Sequence, residues 1–300
     1  ILVSGLVLAS CSQKQGSDNP LLQTWDTPFE TAPFEKIKVE HYLPAFEAAM
    51  AEHDKEIQAI IDNAEAPTFD NTIAALDYSG QTLTKVAGVF YNMMAANTSE
   101  ELQKVNEQIG PMMATHSDNV SMNAKLFEKI KAVYDAKDSQ KYTGEQLALL
   151  EKTYKQFVRS GALLDAEKQA ELREVNAELT KVEAKFDANL LKETKSYQLV
   201  IDNQENLKGL PQGEIEKAAA LAKQEGKEGK WIFTLDNPSF IPFVTYADNR
   251  DLRKEIFNAR VNRCNNGGET DNNELVAQMA ELRAKKAQLL GYETFAHYQL

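Results

Sequence analysis

Complete catalytic motifs are what this 300-residue sequence most plainly lacks. It holds four histidines, His41, His53, His116 and His297, and none opens a His-Glu-x-x-His helix. The i, i+4 imidazole pair of a helical zinc peptidase site is therefore missing from these residues. Only two cysteines occur, and they lie far apart, so neither a CxxC zinc arrangement nor a redox pair can form. GxGxxG, GxxxxGK and GxSxG are absent, which removes the glycine signatures of dinucleotide sites, P-loops and nucleophile elbows. Positive charge is short as well: 33 Lys and Arg face 45 Asp and Glu, a net charge of −12. Nucleic acid is thereby excluded as a partner, because phosphate binding needs a basic surface.

What is present begins with an apolar run. "ILVSGLVLAS", residues 1–10, is too short to span a bilayer and reads as the back of a lipoprotein signal peptide. Its "LASC" ending resembles a bacterial lipobox, which makes Cys11 the expected lipidation site. Residues 11–24 then read as a polar tether, and Ser12 after the cysteine resembles the sorting signal for the outer membrane. The expected location is the cell envelope, lipid-anchored and facing the periplasm. With Cys11 lipidated, Cys264 has no intrachain disulfide partner, and cohesion must come from packing.

From residue 25 to 300 helical periodicity dominates. The stretches 41–62, 72–96 and 100–120 read as helices, with a Thr98…Glu101 capping box, a break at Pro67 and a kink or helix start at Pro111. A Thr143…Gln146 box opens a helix striped by Leu147, Leu150, Tyr154 and Phe157. After "RSGALLD" a long helix follows, with Leu172, Val175, Leu179, Val182 and Phe186 at alternating steps of three and four. The short link suggests that these two helices pack as an antiparallel hairpin. The paired Met93–Met94 and Met112–Met113 read as core filler. Leu275, Met279, Leu282 and Leu289 carry a further helical stripe, and its lack of a stop signal before Leu300 reads as a cut rather than a natural terminus.

One region changes period. Tyr197, Leu199 and Ile201 alternate, as do Trp231, Phe233 and Leu235, so two short strands are expected with an Ala-rich helix, Ile215 to Gln224, between them. The fold class is mainly α with this small two-stranded element near 197–235. A Pro-pinned, aromatic-rich segment expected to be extended follows, and then a helix with an unusual face. Leu252, Ile256, Phe257 and Val261 share that face with Arg250, Arg253, Arg260 and Arg263. Arginines there must snorkel or pair with carboxylates of neighbouring helices. The competing reading is the wall of a channel that receives an anionic ligand such as a peptide carboxylate. Among the weaker candidates, His53 reads as part of a solvated acidic face with Asp54 and Glu56. His116 and Asp118, two apart on a helix, point in different directions. "NNGGETDNNE" misses the EF-hand spacing and reads as a loop with an Asp271 N-cap.

Several phrases together resemble the thimet oligopeptidase and dipeptidyl carboxypeptidase family of zinc metallopeptidases, its bacterial branch in particular. They are "NPLLQTWDTPFETAPFEKIKVEHYLPAFEAAM", "PTFDNTIAALDYSG", "LLEKTYKQFVRSGALL", "FTLDNPSFIPFVTYADNRDLR" and "LRAKKAQLLGYETFAHYQL", in order from Asn19 to Leu300. The resemblance implies the helical N-terminal half of a two-lobed peptidase with a channel that admits short unfolded peptides. It implies one zinc ion held by a His-Glu-x-x-His region beyond residue 300, no catalytic or metal residue within this segment, and a segment inactive alone. Release of C-terminal dipeptides and a monomeric state are expected on the same footing. Arg250, Arg253, Arg260 and Arg263 would then stand at the junction of the two halves or along the channel. The competing function is a non-catalytic helical lipoprotein that binds peptides or a partner protein.

Overall fold

A computed structural model describes residues 18–300; Cys11 and the signal-like run lie outside them. The described chain is mainly helical and divides into two compact units, one reaching to Ala177 and resuming at Lys286–Leu300, the other spanning Glu178–Lys285.

In the first unit, α1 (Tyr42–Asp62) follows the expected boundaries closely. The helix expected over 72–96 is instead three pieces: a π-helical turn Phe69–Ala74, α2 (Ala75–Tyr78) and α3 (Gln81–Ala96). The break falls at Gly80, whose φ of +70° is a conformation L side chains rarely adopt. Thr68 and Asn71 cap the π turn reciprocally. α4 (Glu100–Ser121) runs through Pro111, and its cap is Ser99, not Thr98. Ser99 Oγ accepts from Leu102 N at 3.2 Å, while the Thr98 hydroxyl turns back to Met94 Sδ. α5 (Ala124–Asp135) and α6 (Gly144–Arg159) come next, the latter opened by the expected reciprocal Thr143–Gln146 box.

Two apolar clusters hold this unit. Tyr42 and Phe46 of α1 meet Phe90 of α3 edge-on, at centroid distances of 5.0 and 5.5 Å, with Leu102 and Ile109 of α4 and Leu21 completing the cluster. Leu21, placed in the tether by its sequence context, is fully buried here. All four paired methionines pack against the same cluster, as their helical positions suggested. The second cluster joins Ile57 and Ile60 of α1 to Ile73, Leu126, Ile130, Leu150 and Phe157. α6 packs against α5, where Phe127 stacks on Tyr154 at 5.7 Å and Phe157 at 6.3 Å. Leu147, part of the expected α6 stripe, is exposed.

The long helix α7 (Ala166–Ser196) carries the boundary between units and buries Leu172, Val175, Leu179 and Val182 along its stripe. In the second unit β1 (Leu199–Ile201) and β2 (Trp231–Phe233) pair antiparallel in the register Leu199↔Phe233 and Ile201↔Trp231, the small sheet that the alternation implied. α8 (Gln212–Gln224) lies between them in sequence and packs on β2. The Pro-pinned segment is not extended: it is helix α9 (Asn237–Tyr246). Pro238 sits in the first turn, where its missing N–H costs nothing, and Pro242 removes one internal bond that Phe240 and Phe243 offset by burial. α10 (Arg250–Val261) follows, capped by Asn249, then α11 (Asn273–Leu289). A short α12 (Phe295–Gln299) belongs to the first unit. No helix among the described residues is long and apolar enough to cross a membrane.

Candidate functional site

The arginine helix is resolved into individual contacts. Ile256 is its fully buried residue, with Leu252 and Ala259 packed on the same cluster, whereas Phe257 and Val261 are exposed. The apolar face is thus narrower than the sequence projection had it. Arg253 Nη1 donates to the carbonyls of Ala247 and, at 3.1 Å, Asp248. Arg260 donates to Leu235 O and to Asn237 Oδ1 at 2.6 Å, and its guanidinium lies 4.4 Å from the Phe240 ring centroid. Arg263 donates to Arg260 O at 3.0 Å and to Thr194 Oγ1 at 2.7 Å. Arg250 is exposed at the first turn. The partners of the three engaged arginines are carbonyls, an amide and a hydroxyl, where carboxylates were expected. The reason is local: the turns before α9 and α10 leave carbonyls without helical partners, and a guanidinium fork satisfies several at once.

The loop after α10 is tied down by one carboxylate. Glu193, near the end of α7, accepts from Cys264 N at 2.8 Å, Thr270 Oγ1 at 2.8 Å and Asn266 Nδ2 at 2.6 Å. Burial works to raise its pKa, but these three donors together hold it below the usual carboxylate value. Cys264 is buried with φ +57°, and burial, then the nearby Glu193 carboxylate, push its thiol up to about 11. That thiol is a poor nucleophile. Within the loop, Asp271 accepts from Gly267 N at 2.7 Å and Asn273 N at 2.9 Å, folding "NNGGETDN" onto itself. Asn189 donates to Asn272 Oδ1 at 2.8 Å in a buried pair. The Asp271 carboxylate is thus engaged by amides of its own loop, and Glu269 pairs with Lys192 at 3.1 Å.

The first unit offers a different surface. Leu83, Thr84, Ala87, Gly88, Tyr91 and Asn92 of α3, with Met113 of α4, line an open groove of ≈ 530 Å³. Nothing lies within 4 Å of where a Cβ on Gly88 would stand. The groove is mostly apolar with Asn92 and Thr84 as polar groups, the composition of a surface that takes extended apolar side chains.

Histidine placement contains a second departure. His53 is not a solvated surface residue: its Nδ1 lies 2.9 Å from Nε2 of the buried His116. Asp118 diverges from His116, as its spacing requires, and accepts from Asn176. Among the described residues no group of three His, Cys, Asp or Glu can hold a metal ion. The two imidazoles point their facing nitrogens at each other, not at a common outside point. The zinc that the family resemblance implies therefore has no fitting ligand set here.

The family model "Neurolysin/Thimet oligopeptidase, N-terminal domain" matches residues 46–169, and "Peptidase family M3" matches residues 243–300. The chain is similar to both models, in that order along its length. It is 33% identical over 282 residues to a dipeptidyl carboxypeptidase of Escherichia coli, covering 94% of this chain and 41% of that protein. It is 30% identical over 290 residues to organellar oligopeptidase A of Arabidopsis thaliana, covering 95% of this chain and 36% of that one. An oligopeptidase A of Haemophilus influenzae is 29% identical over 286 residues, covering 94% of this chain and 41% of the relative. The chain thus spans about two fifths of the length of the curated relatives it matches.

Proposed function

We propose that the protein is a metallopeptidase that hydrolyses short, unfolded peptides and releases dipeptides from their C-termini. The observation that carries this reading is the continuous similarity to a dipeptidyl carboxypeptidase over 94% of the chain. The described residues contribute no metal ligand set, so their part is to receive and limit substrate. We assign that part to the groove of α3 and α4, whose open apolar floor beside Gly88 suits the side chains of an extended peptide. Zinc, one ion, belongs on this reading to residues outside the 300, and no step of the hydrolysis is assigned to any residue within them.

The arginines of α10 serve the scaffold in this proposal. Each engaged guanidinium already holds two partners within the chain, which ties it to the turns around α10. Alanine at Arg253 or Arg260 is expected to lower the melting temperature with peptide KM unchanged; the opposite pattern would give these residues to the substrate. The decisive assay uses the protein with its continuing sequence, peptides with free and amidated C-termini, and a chelator arm. Dipeptide release from free C-termini alone, abolished by the chelator and restored by zinc, supports the reading. Internal cleavage of amidated peptides would move it to an endopeptidase, and no cleavage of either would remove it.

Attachment is part of the same proposal. Cys11 in its lipobox context would carry lipid and hold a monomeric enzyme at the outer membrane, facing the periplasm. Radiolabelled palmitate incorporation that disappears in Cys11→Ala, with release of the protein from the membrane fraction, tests it. Equal labelling of both proteins would refute it.

A further inference from the structure

Four side chains from three separate segments form an unbroken line in the first unit. Asp54 Oδ1 of α1 lies 3.4 Å from His116 Nδ1 of α4. His116 Nε2 lies 2.9 Å from His53 Nδ1 of α1, and His53 Nε2 lies 3.1 Å from Ser79 Oγ in the turn between α2 and α3. Ser79 Oγ donates to Leu76 O at 2.7 Å. The same turn is gripped a second time, because Gly80 N donates to Glu56 Oε2 at 2.7 Å. The His53 ring also fills the space above Gly80, where a Cβ would come within 3.2 Å of it.

Hydrogen-bond direction assigns the protons along this line. A hydroxyl has one hydrogen, and Ser79 gives its hydrogen to Leu76 O, so His53 Nε2 must be the donor to Ser79. A neutral His53 protonated at Nε2 presents a lone pair at Nδ1, and His116 Nε2–H fills it. Asp54 Oδ1 stands beside the outer nitrogen of His116. The line from His116 to Ser79 is satisfied when His53 carries its hydrogen at Nε2 and none at Nδ1. A second hydrogen on His53, at Nδ1, would set two N–H groups against each other across 2.9 Å.

We propose that His116, His53 and Ser79, with Asp54 beside them, form a hydrogen-bonded latch that fastens the α2–α3 turn to α1 and α4 and opens in acid. The charged or titratable groups acting on His53 are Asp54 and Glu56 from its own helix and His116 from α4, while the turn presents a hydroxyl and an amide. Asp118, also on α4, is turned to Asn176. Burial first, and then His116, hold the His53 pKa below the ordinary imidazole value, against the opposing pull of Glu56 and Asp54. A base depressed in the folded state stabilises fully above its unfolded pKa, about 6.5. That contribution is lost as pH falls from there toward the lowered value, because the unfolded chain then binds the extra proton more readily. α3 begins at the latched turn and supplies most of the groove lining, so opening would loosen the groove's near end. The inference stands without the peptidase reading.

Hydrogen exchange of the protein at pH 7.5 and pH 5, corrected for intrinsic rates, tests it. Peptides covering 79–86 are expected to lose severalfold in protection at the lower pH. His53→Gln, which cannot take up a proton, is expected to abolish that acid step. A wild-type protein with no step, or a step of equal size in the variant, would overturn the latch. Should His53→Gln fail to fold, Asp54→Asn at its exposed position is the second probe. Loss of the carboxylate removes a pull that raises the His53 pKa, so the step is expected to extend to lower pH, and an unmoved step would be equally fatal.

Discussion

The two units are held by different physics. The first is an aromatic and aliphatic core in which Phe46 and Phe90 are fully buried and interlock edge to face. The second has an apolar centre around Phe243 and Ile256, but its loops are fixed by single polar side chains that each hold two or three hydrogen-bond partners. Glu193 holds three donors, Arg260 holds two acceptors, and Arg253 takes the two carbonyls before its own helix. Packing of the first kind is spread over many contacts and degrades gradually; ties of the second kind concentrate the cost of one substitution.

The sharpest way to break this contrast is at the centre of the apolar core. Phe46→Ala leaves a cavity facing Tyr42 and Phe90 and is expected to cost about 3–5 kcal/mol, read as a lowered denaturant midpoint. If the first unit instead relied on polar ties, the loss would stay under about 1 kcal/mol. Next comes a backbone position in the second unit. Gly209 has φ +87°, and a Cβ there would run into Tyr246 O and come within 2.7 Å of Asp248 Oδ1. The obstacle is backbone, tied in place by Asp248 N donating to Lys208 O at 2.8 Å. Gly209→Ala is therefore expected to cost about 3 kcal/mol from strain and overpacking together. Retained stability would mean that this turn is free to move.

The polar ties themselves come third. Arg260→Ala removes charge-assisted bonds to Leu235 O and Asn237 and is expected to cost about 1.5–3 kcal/mol. Glu193 adds a pH signature. Its folded pKa is depressed, so its contribution is complete above the unfolded carboxylate value, about 4.3, and disappears as pH falls through the folded one. Glu193→Gln should flatten the stability profile below about pH 4.5 relative to the parent chain; an unchanged acid limb would remove Glu193 from its role.

This contrast also explains what was legible in the sequence. Periodicity reports apolar faces, so α1, α4, α6, α7 and the small sheet were readable, and so was the Thr143–Gln146 cap. Where one glycine or one proline governs, the pattern misled: Gly80 cut an expected helix, and Pro238 and Pro242 sit in a helix where an extended segment was expected. The arginines were visible as a problem on an apolar face, but not their solution, because free carbonyls exist only once the turns have formed. His53 and His116 stand 63 positions apart, and no local signal joins them. The groove was equally silent, since Gly88 matters only beside the neighbours that the fold supplies.

Gly88 also gives the smallest and cleanest measurement. It sits inside α3 with ordinary helical backbone and open space where a Cβ would stand. Alanine there restricts the unfolded chain and meets nothing in the folded one, so Gly88→Ala is expected to stabilise by about 0.5–1 kcal/mol. Tryptophan at the same position reaches into the groove without touching the core behind α3. If the groove receives substrate as proposed, it should raise KM for peptides while leaving the melting temperature near that of the alanine variant. Two substitutions at one residue thus separate the helix from the groove: a shared loss of stability would say that the space beside Gly88 is part of the packed unit. A rise in KM alone would say that it is kept open for substrate.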